Sequence, residues 1–382
     1  MGKQIVILGA GFGGLEAATS LREQLLDEHT ITLIDRKDHF YIGFKKLEVM
    51  FGRSSADGVK SYYRDLAADG VSFVQDNIET IDTVGRKVHT TRDTFPFDIL
   101  IVALGTDLAP DLTPGLVEGG HEFYSLEGAA RLYPALESFT GGSVMLSVLG
   151  APYKCPPAPY EAMFLLHDYF QRRGIRDSVV LKMLDPAPKP LPVAPNAAPE
   201  ILARFEERDI QLYSGHKVTG LDVEAQAALI DGREAIPYDL FIAVPLHRPP
   251  QVVRDSDLGN GGWIRVDPGN LKTEFENVYA VGDVTTIPVG AGAVPKAGAF
   301  AEGGAKVVVS HIVHDLTGEG TPQVFDGVGA CYLEFGEDQV AQISANFLGK
   351  AAPDVRLDAP TAERRIEKEQ FEDIRLARWF KR

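Results

Sequence analysis

The sequence predicts an α/β protein of two Rossmann-like dinucleotide-binding domains followed by a small C-terminal α+β domain. Three observations carry this. A strand, a glycine turn, a helix and a second strand follow one another between Lys3 and Asp35. A second unit of the same kind opens at Ser143. A late apolar strand, from Asn277, ends in Gly282-Asp283 and returns the chain to the first unit.

The first unit is the most explicit. Gln4 to Leu8 is a short, largely β-branched apolar run and reads as a buried parallel strand. Gly9, Gly11 and Gly14 follow in the spacing G-x-G-x-x-G. Gly9 allows the tight turn, Gly11 lets a pyrophosphate approach the backbone, and Gly14 lets the helix pack on the strand. The helix is expected over Leu15 to Leu25, with its free N–H groups and positive dipole end toward the phosphates. The next strand, Thr30 to Ile34, ends in Asp35, 21 residues after Gly14, where a carboxylate accepts hydrogen bonds from a ribose.

The following elements are read in order. A loop rich in aromatics, His39 to Phe44, leads to a helix at Lys45 to Met50. Those aromatics either wall a ring system or form a patch under a loop. Val71–Val74, Asn77–Ile81 and Lys87–Thr90 are expected to form one small antiparallel crossover sheet. Phe97 to Thr106 is another buried strand, ending in a turn at Gly105 that permits close backbone approach. The Pro- and Gly-rich stretch from Pro110 to Gly119 marks a boundary. The expected domains are 1–112, 113–264, a return to the first domain over 265–322, and 323–382.

The turn of the second unit departs from its type. After the strand Ser143 to Leu149 only Gly150 survives, and Pro152, Pro156, Pro157 and Pro159 fill the loop. Prolines carry no N–H, so a phosphate finds no nest of donors. The domain is expected to keep its architecture and to have lost a nicotinamide cofactor, although Asp185, after the strand Val179 to Leu184, still holds the ribose-partner position. Gly282-Asp283 reads as a second flavin signature. Pro295-Lys296-Ala297-Gly298 leads into a helix over Ala299 to Leu316 whose N-terminus suits a negatively charged ring. Strands near Ala330–Phe335 and Val340–Phe347 and an amphipathic helix, Glu363 to Phe380, complete the chain.

Composition excludes several classes. A net charge of −16 over 382 residues repels nucleic acid and anionic lipid. No apolar run reaches the roughly 18 residues of a bilayer-crossing helix. With the first strand starting at residue 4, the expected location is the cytoplasm, with the basic, aromatic tail from Ile374 as a candidate peripheral contact to the inner face of a membrane or a helix docked on the body. A homodimer is left open. Two cysteines, Cys155 and Cys331, cannot form a secreted disulfide framework. None of the nine histidines has metal-ligand spacing, so no metal is expected.

At this point the sequence resembles the sulfide:quinone oxidoreductase and flavocytochrome c sulfide dehydrogenase flavoproteins, a branch of the FAD/NAD(P)-binding, glutathione-reductase-like proteins with two dinucleotide-binding domains. The residues that carry the resemblance are Lys154-Cys155-Pro156, Pro159-Tyr160-Glu161, Gly282-Asp283, Pro295-Lys296-Ala297-Gly298 with Phe300-Ala301-Glu302, and Cys331-Tyr332. It implies FAD held by Gly9, Gly11, Gly14, Asp35, Gly105, Gly282, Asp283 and Lys296. It implies that Cys155 and Cys331 form a redox disulfide or polysulfide bridge over the flavin, that Glu161 is an acid/base, and that Lys296 stabilises the reduced flavin's charge. The implied substrate is sulfide or a related sulfur compound, and the implied acceptor is a quinone or a small electron carrier. The chain lacks the third cysteine of the quinone-reducing members and has no cysteine in Arg36 to Arg53 for covalent flavin attachment. The residues themselves agree: chemistry on sulfide needs an electrophilic sulfur and then a thiolate, and Lys154 beside Cys155 would favour that thiolate. The competing reading is an NAD(P)H-dependent flavin reductase resembling type II NADH dehydrogenases, with both cysteines merely buried.

Overall fold

The computed structural model describes residues 2–25, 27–290, 292–349 and 353–381. Leu26, inside the first unit, and Arg382, at the end of the tail, lie outside them. Two five-stranded parallel sheets form the frame. The first runs Val278–Ala280, Ile99–Val102, Gln4–Leu8, Thr30–Asp35, Val71–Gln75. The second runs His121–Glu122, Leu240–Val244, Gly142–Val148, Val179–Asp185, Ile210–Ser214. The continuous apolar runs follow from burial on both faces. Ile5, Ile7, Leu33 and Ile101 enter one core, while Val6, Leu8, Ile34, Leu100 and Val102 enter another on the opposite face.

Each parallel sheet is accompanied by three short antiparallel strands: Ile78–Asp82, Lys87–Thr90 and Thr94–Pro96 in the first half, and Val218–Asp222, Ala227–Ile230 and Ile236–Pro237 in the second. The expected place of Val71–Val74 needs correction. It pairs in parallel with Thr30–Asp35 as the edge of the first sheet. A half-buried edge strand carries the same residue pattern as a strand of a small antiparallel sheet, so pattern alone does not separate them. The first helix also begins earlier than expected, at Phe12, with Gly11 as its uncapped N-terminal flank.

The strand Val278–Ala280 pairs in parallel with Ile99–Val102, so the late segment completes the first sheet. Gly298–Thr317 then packs across Phe12–Gln24. A Cβ on Gly13 would stand 2.8 Å from Val281 and 3.3 Å from the Ala301 carbonyl, so glycine permits this approach. The C-terminal strands Val328–Gly336, Gln339–Asn346 and Asp354–Leu357 form an antiparallel sheet.

The final helix, Glu363–Trp379, lies back on the first half of the molecule. Trp379 is buried, edge-on to Phe12 and Phe40, with its indole N–H donating to Glu16 at 3.0 Å. Arg378 bridges Glu16 and Glu23, and the Ala67 N–H donates to the Trp379 carbonyl. The tail's aromatics are therefore core residues and not an anchor presented to lipid. Among the described residues no helix is long and apolar enough to cross a membrane.

Candidate active site

The glycine turn is built as its spacing requires. Gly9 has φ +92°, and a Cβ there would meet the Ala103 carbonyl at 2.5 Å. A Cβ on Gly14 would stand 1.8 Å from the Gly9 carbonyl. A Cβ on Gly11 would meet nothing within 4 Å, because that side faces a cleft. Gly11 caps the helix with no side chain and its first turn has no acid, so the N–H groups and positive dipole end point to the same cleft unpaired with any carboxylate. Asp35 accepts the Ala10 N–H at 2.7 Å on one oxygen and the Lys37 N–H at 2.8 Å on the other. One lone pair on each oxygen stays available for a ribose hydroxyl.

That cleft, about 380 Å³, runs from the glycine turn to the sulfurs. It is lined by Gly9, Gly11, Asp35, Gly105, Gly282 and Asp283 and also by Cys155, Glu161 and Cys331. Gly282, at φ +77°, turns the chain so that Asp283 reaches it. An uncapped helix end, open space at Gly11, and acids at both strand ends fit the pyrophosphate and polyol of FAD. Two residues expected at the cofactor do not line the cleft. Gly14 acts on the fold, between helix and strand. Lys296 directs its ammonium to the carbonyls of Asp283 and Thr285, at 2.5 and 3.2 Å, and lies over the Trp263 ring. Burial lowers it to about 8. It braces the Gly282–Asp283 turn from behind.

Cys155 sits in the proline loop at φ +52°, with its N–H donating to the Lys296 carbonyl at 2.8 Å. Cys331 comes from the strand Val328–Gly336. Residues 176 positions apart thus line one cleft. Both thiols are free in the structure. Burial pushes Cys155 up to about 11 against the pull of Lys46, with Glu161 adding to the rise. Burial, then Cys155 and Glu161, raise Cys331 further. Lys46 and Lys368 are the cations that pull Cys155 down against burial.

Glu161 stands in the first turn of helix Ala158–Arg172 and is buried. Its carboxylate accepts the Lys368 ammonium at 2.9 Å and the Glu334 N–H at 3.3 Å. Burial raises Glu161, partly offset by Lys368. Burial alone would depress Lys368, yet Glu161 and Glu334 outweigh it and hold the ammonium above its usual range. Sequence reasoning missed Lys46, Glu334 and Lys368. The available signal for Lys368 was helical spacing: Lys368, Phe371, Arg375 and Arg378 share one face, with three cations where an apolar stripe was expected.

The second, nucleotide-type turn is closed from within. Tyr160 donates its hydroxyl to Asp185, whose other oxygen accepts the Ala187 N–H, and the Leu191 N–H donates to the same hydroxyl. The acid in the ribose-partner position is thus satisfied by the protein itself.

Comparison with known proteins agrees with this architecture. The family model of the pyridine nucleotide-disulphide oxidoreductases matches residues 3–303. The mitochondrial sulfide:quinone oxidoreductase of Dictyostelium discoideum is 25% identical over 86% of this chain and 74% of that protein. The type II NADH:quinone oxidoreductase of Staphylococcus aureus is 23% identical over 84% of each. The sulfide:quinone oxidoreductase structure from Aquifex aeolicus superposes with a TM-score of 0.86 at 21% identity, over 97% of this chain and 90% of that one. The protein is an FAD-binding oxidoreductase that belongs to the pyridine nucleotide-disulphide oxidoreductase family.

Proposed function

We propose that this flavoenzyme oxidises sulfide, or a related sulfur compound, through Cys155 and Cys331 and delivers the electrons to a quinone or another small acceptor. The observation that carries the reading is that both of the chain's cysteines line the cofactor cleft, Cys155 in the loop where a nicotinamide-binding turn would otherwise stand and Cys331 from the C-terminal sheet. The relatives that act on sulfide, by name, support the substrate.

FAD supplies a two-electron acceptor within the cleft. The chain's residues supply the sulfur chemistry. With the two sulfurs bridged, hydrosulfide attacks one of them; a new S–S bond forms, the old one breaks, and the other cysteine leaves as a thiolate. The Glu161 carboxyl, raised by burial, exchanges the proton. Lys368 keeps that carboxyl in place and balances its charge. Lys296 acts through the Asp283 turn it holds. Phe44, Tyr332 and Phe371 add ring surfaces to the same cleft and suit a flat, apolar acceptor. Contact with a membrane, where it occurs, is peripheral. The prolines and the Tyr160–Asp185 bond disfavour a nicotinamide substrate, despite the NADH-oxidising relative.

Rapid mixing decides between the readings. Sulfide should bleach the flavin within a turnover time, and Cys155→Ser and Cys331→Ser should each abolish bleaching while FAD stays bound. Each single change should cost nearly as much as both together, because residues acting as a unit are strongly non-additive. Near-parental bleaching by sulfide in Cys155→Ser, or fast bleaching by NADH, would put the reductase reading first.

A further inference from the structure

Cys155 sits in a backbone conformation that its side chain disfavours. Its φ of +52° lies in the left-handed region, and such a conformation persists only where the surroundings impose it. Three hydrogen bonds do so. The Cys155 carbonyl accepts the Ala158 N–H at 3.0 Å and the Tyr124 hydroxyl at 3.4 Å, and the Cys155 N–H donates to the Lys296 carbonyl at 2.8 Å. The loop has little else to hold itself with. Between Pro152 and Pro159 only Tyr153, Lys154, Cys155 and Ala158 carry a backbone N–H.

The acceptor for the Cys155 N–H comes from a distant part of the chain. Lys296 lies between the strand Gly292–Ala293 and the helix Gly298–Thr317 and belongs to neither. Its backbone pairs with Lys154 in a single parallel bridge. Its buried side chain supplies the anchor. The ammonium donates to the carbonyls of Asp283 and Thr285, at 2.5 and 3.2 Å, and stands 3.5 Å from the centre of the Trp263 ring. Trp263 immediately precedes Ile264–Arg265, which pairs with Thr285–Thr286, so ring and carbonyls belong to one unit. The same turn brings Gly282 and Asp283 to the cofactor cleft.

We propose that Lys296 is a positioning residue for Cys155: tied by its ammonium to the turn that seats the cofactor, it presents through its own carbonyl the acceptor that fixes the Cys155 N–H. One residue thereby sets the sulfur and the flavin seat relative to each other. The hold works in both directions, because the two carbonyls would be left without their donor if the ammonium moved away. Removing the ammonium frees the Lys296 segment at its side-chain anchor, and the Cys155 N–H loses its fixed acceptor.

The inference rests on the proposed function only in taking Cys155 as a working sulfur. Hydrogen exchange read by mass spectrometry on the flavin-loaded protein tests it, and the prolines reduce the Cys155 stretch to a few amides. Lys296→Met, similar in length and without donors, should speed exchange in the stretch Pro152 to Pro159 and at Asp283 to Ile287 by about tenfold or more, while the Cys331 strand, Val328–Gly336, stays within about twofold. Lys296→Arg keeps donors for both carbonyls, has a cavity of about 20 Å³ beside it, and should stay within about threefold of the parent. At saturating sulfide, Lys296→Met should bleach its flavin about tenfold more slowly or worse, with the half-saturating sulfide concentration within about twofold. Flavin content and circular dichroism check the fold, and Lys296→Gln replaces the methionine variant if that one fails to hold flavin. Unchanged exchange at the Cys155 stretch, equal acceleration there and in the Cys331 strand, equal effects of Met and Arg, or parental bleaching by the methionine variant would each overturn the proposal. If exchange responds as expected yet sulfide does not bleach the parent's flavin, the positioning stands and the sulfide reading falls.

Discussion

Replacing Lys368 by methionine removes one positive charge from between two carboxylates and leaves the shape of the site nearly unchanged. Lys368 is buried and contacts Glu161 at 2.9 Å and also Glu334, while Arg53, 3.6 Å from Glu334, and Arg365 act on Glu334 from further off. Without the ammonium, the buried site restores its balance by binding a proton that the unfolded chain does not bind. A carboxyl of ordinary pKa 4.5 costs about 1.36 kcal/mol per pH unit to protonate, hence about 3.4 kcal/mol at pH 7 and about 0.7 kcal/mol at pH 5. The sign follows from linkage. The native variant binds one more proton than its unfolded form, so its stability falls as pH rises above 4.5. For 382 residues, at about 2.1 cal/mol/K per residue, the unfolding entropy is about 0.8 kcal/mol/K, so the Tm deficit should be about 4 °C at pH 7 and about 1 °C at pH 5. Scanning calorimetry of parent and variant at the two pH values measures this. A deficit that is the same at both, or absent, would refute the account of Lys368 as the balancing charge of Glu161 and Glu334.

Other outcomes follow from the same geometry. Gly11→Ala should leave the apoprotein's Tm within about 1 °C, since its Cβ meets no protein atom, yet weaken FAD binding by about tenfold or more in calorimetric titration, because the glycine serves the pyrophosphate. Gly14→Ala should instead cost the fold about 1–3 kcal/mol, read by denaturant titration, because its Cβ would stand 1.8 Å from the Gly9 carbonyl. Trp379→Ala should lose about 3–5 kcal/mol by the same assay; a change under 1 kcal/mol would mean that the docked tail matters little. NADH should reduce the flavin well below a typical turnover rate of about 10 per second in stopped flow, since Tyr160 already satisfies Asp185. Acid precipitation should release the flavin into the supernatant, as no cysteine stands between Arg36 and Arg53.

Much of this molecule is written in features of short range. A glycine is needed wherever φ is positive or backbone approaches backbone, so Gly9 and Gly14 announced the turn, and Asp35 followed at the end of the adjacent strand. Proline removes a donor wherever it stands, so the scarcity of backbone N–H groups in the second turn was legible at Pro152 to Pro159. The two cysteines were visible as a pair because the chain has no others. Tertiary structure decided what depends on partners distant in sequence. Val71–Gln75 joined the parallel sheet because Thr30–Asp35 offered it an open edge. Lys296 turned from the cleft because the Asp283 and Thr285 carbonyls lay behind it. Of two adjacent lysines, Lys45 found Glu372 outside and Lys46 found Tyr124 inside. Lys368, Arg375 and Arg378 make the last helix look solvated, yet Glu161, Glu302 and Glu16 draw that face onto the body. A charge reads as surface in a sequence because its solvation is assumed; only the fold shows which carboxylate has replaced the water.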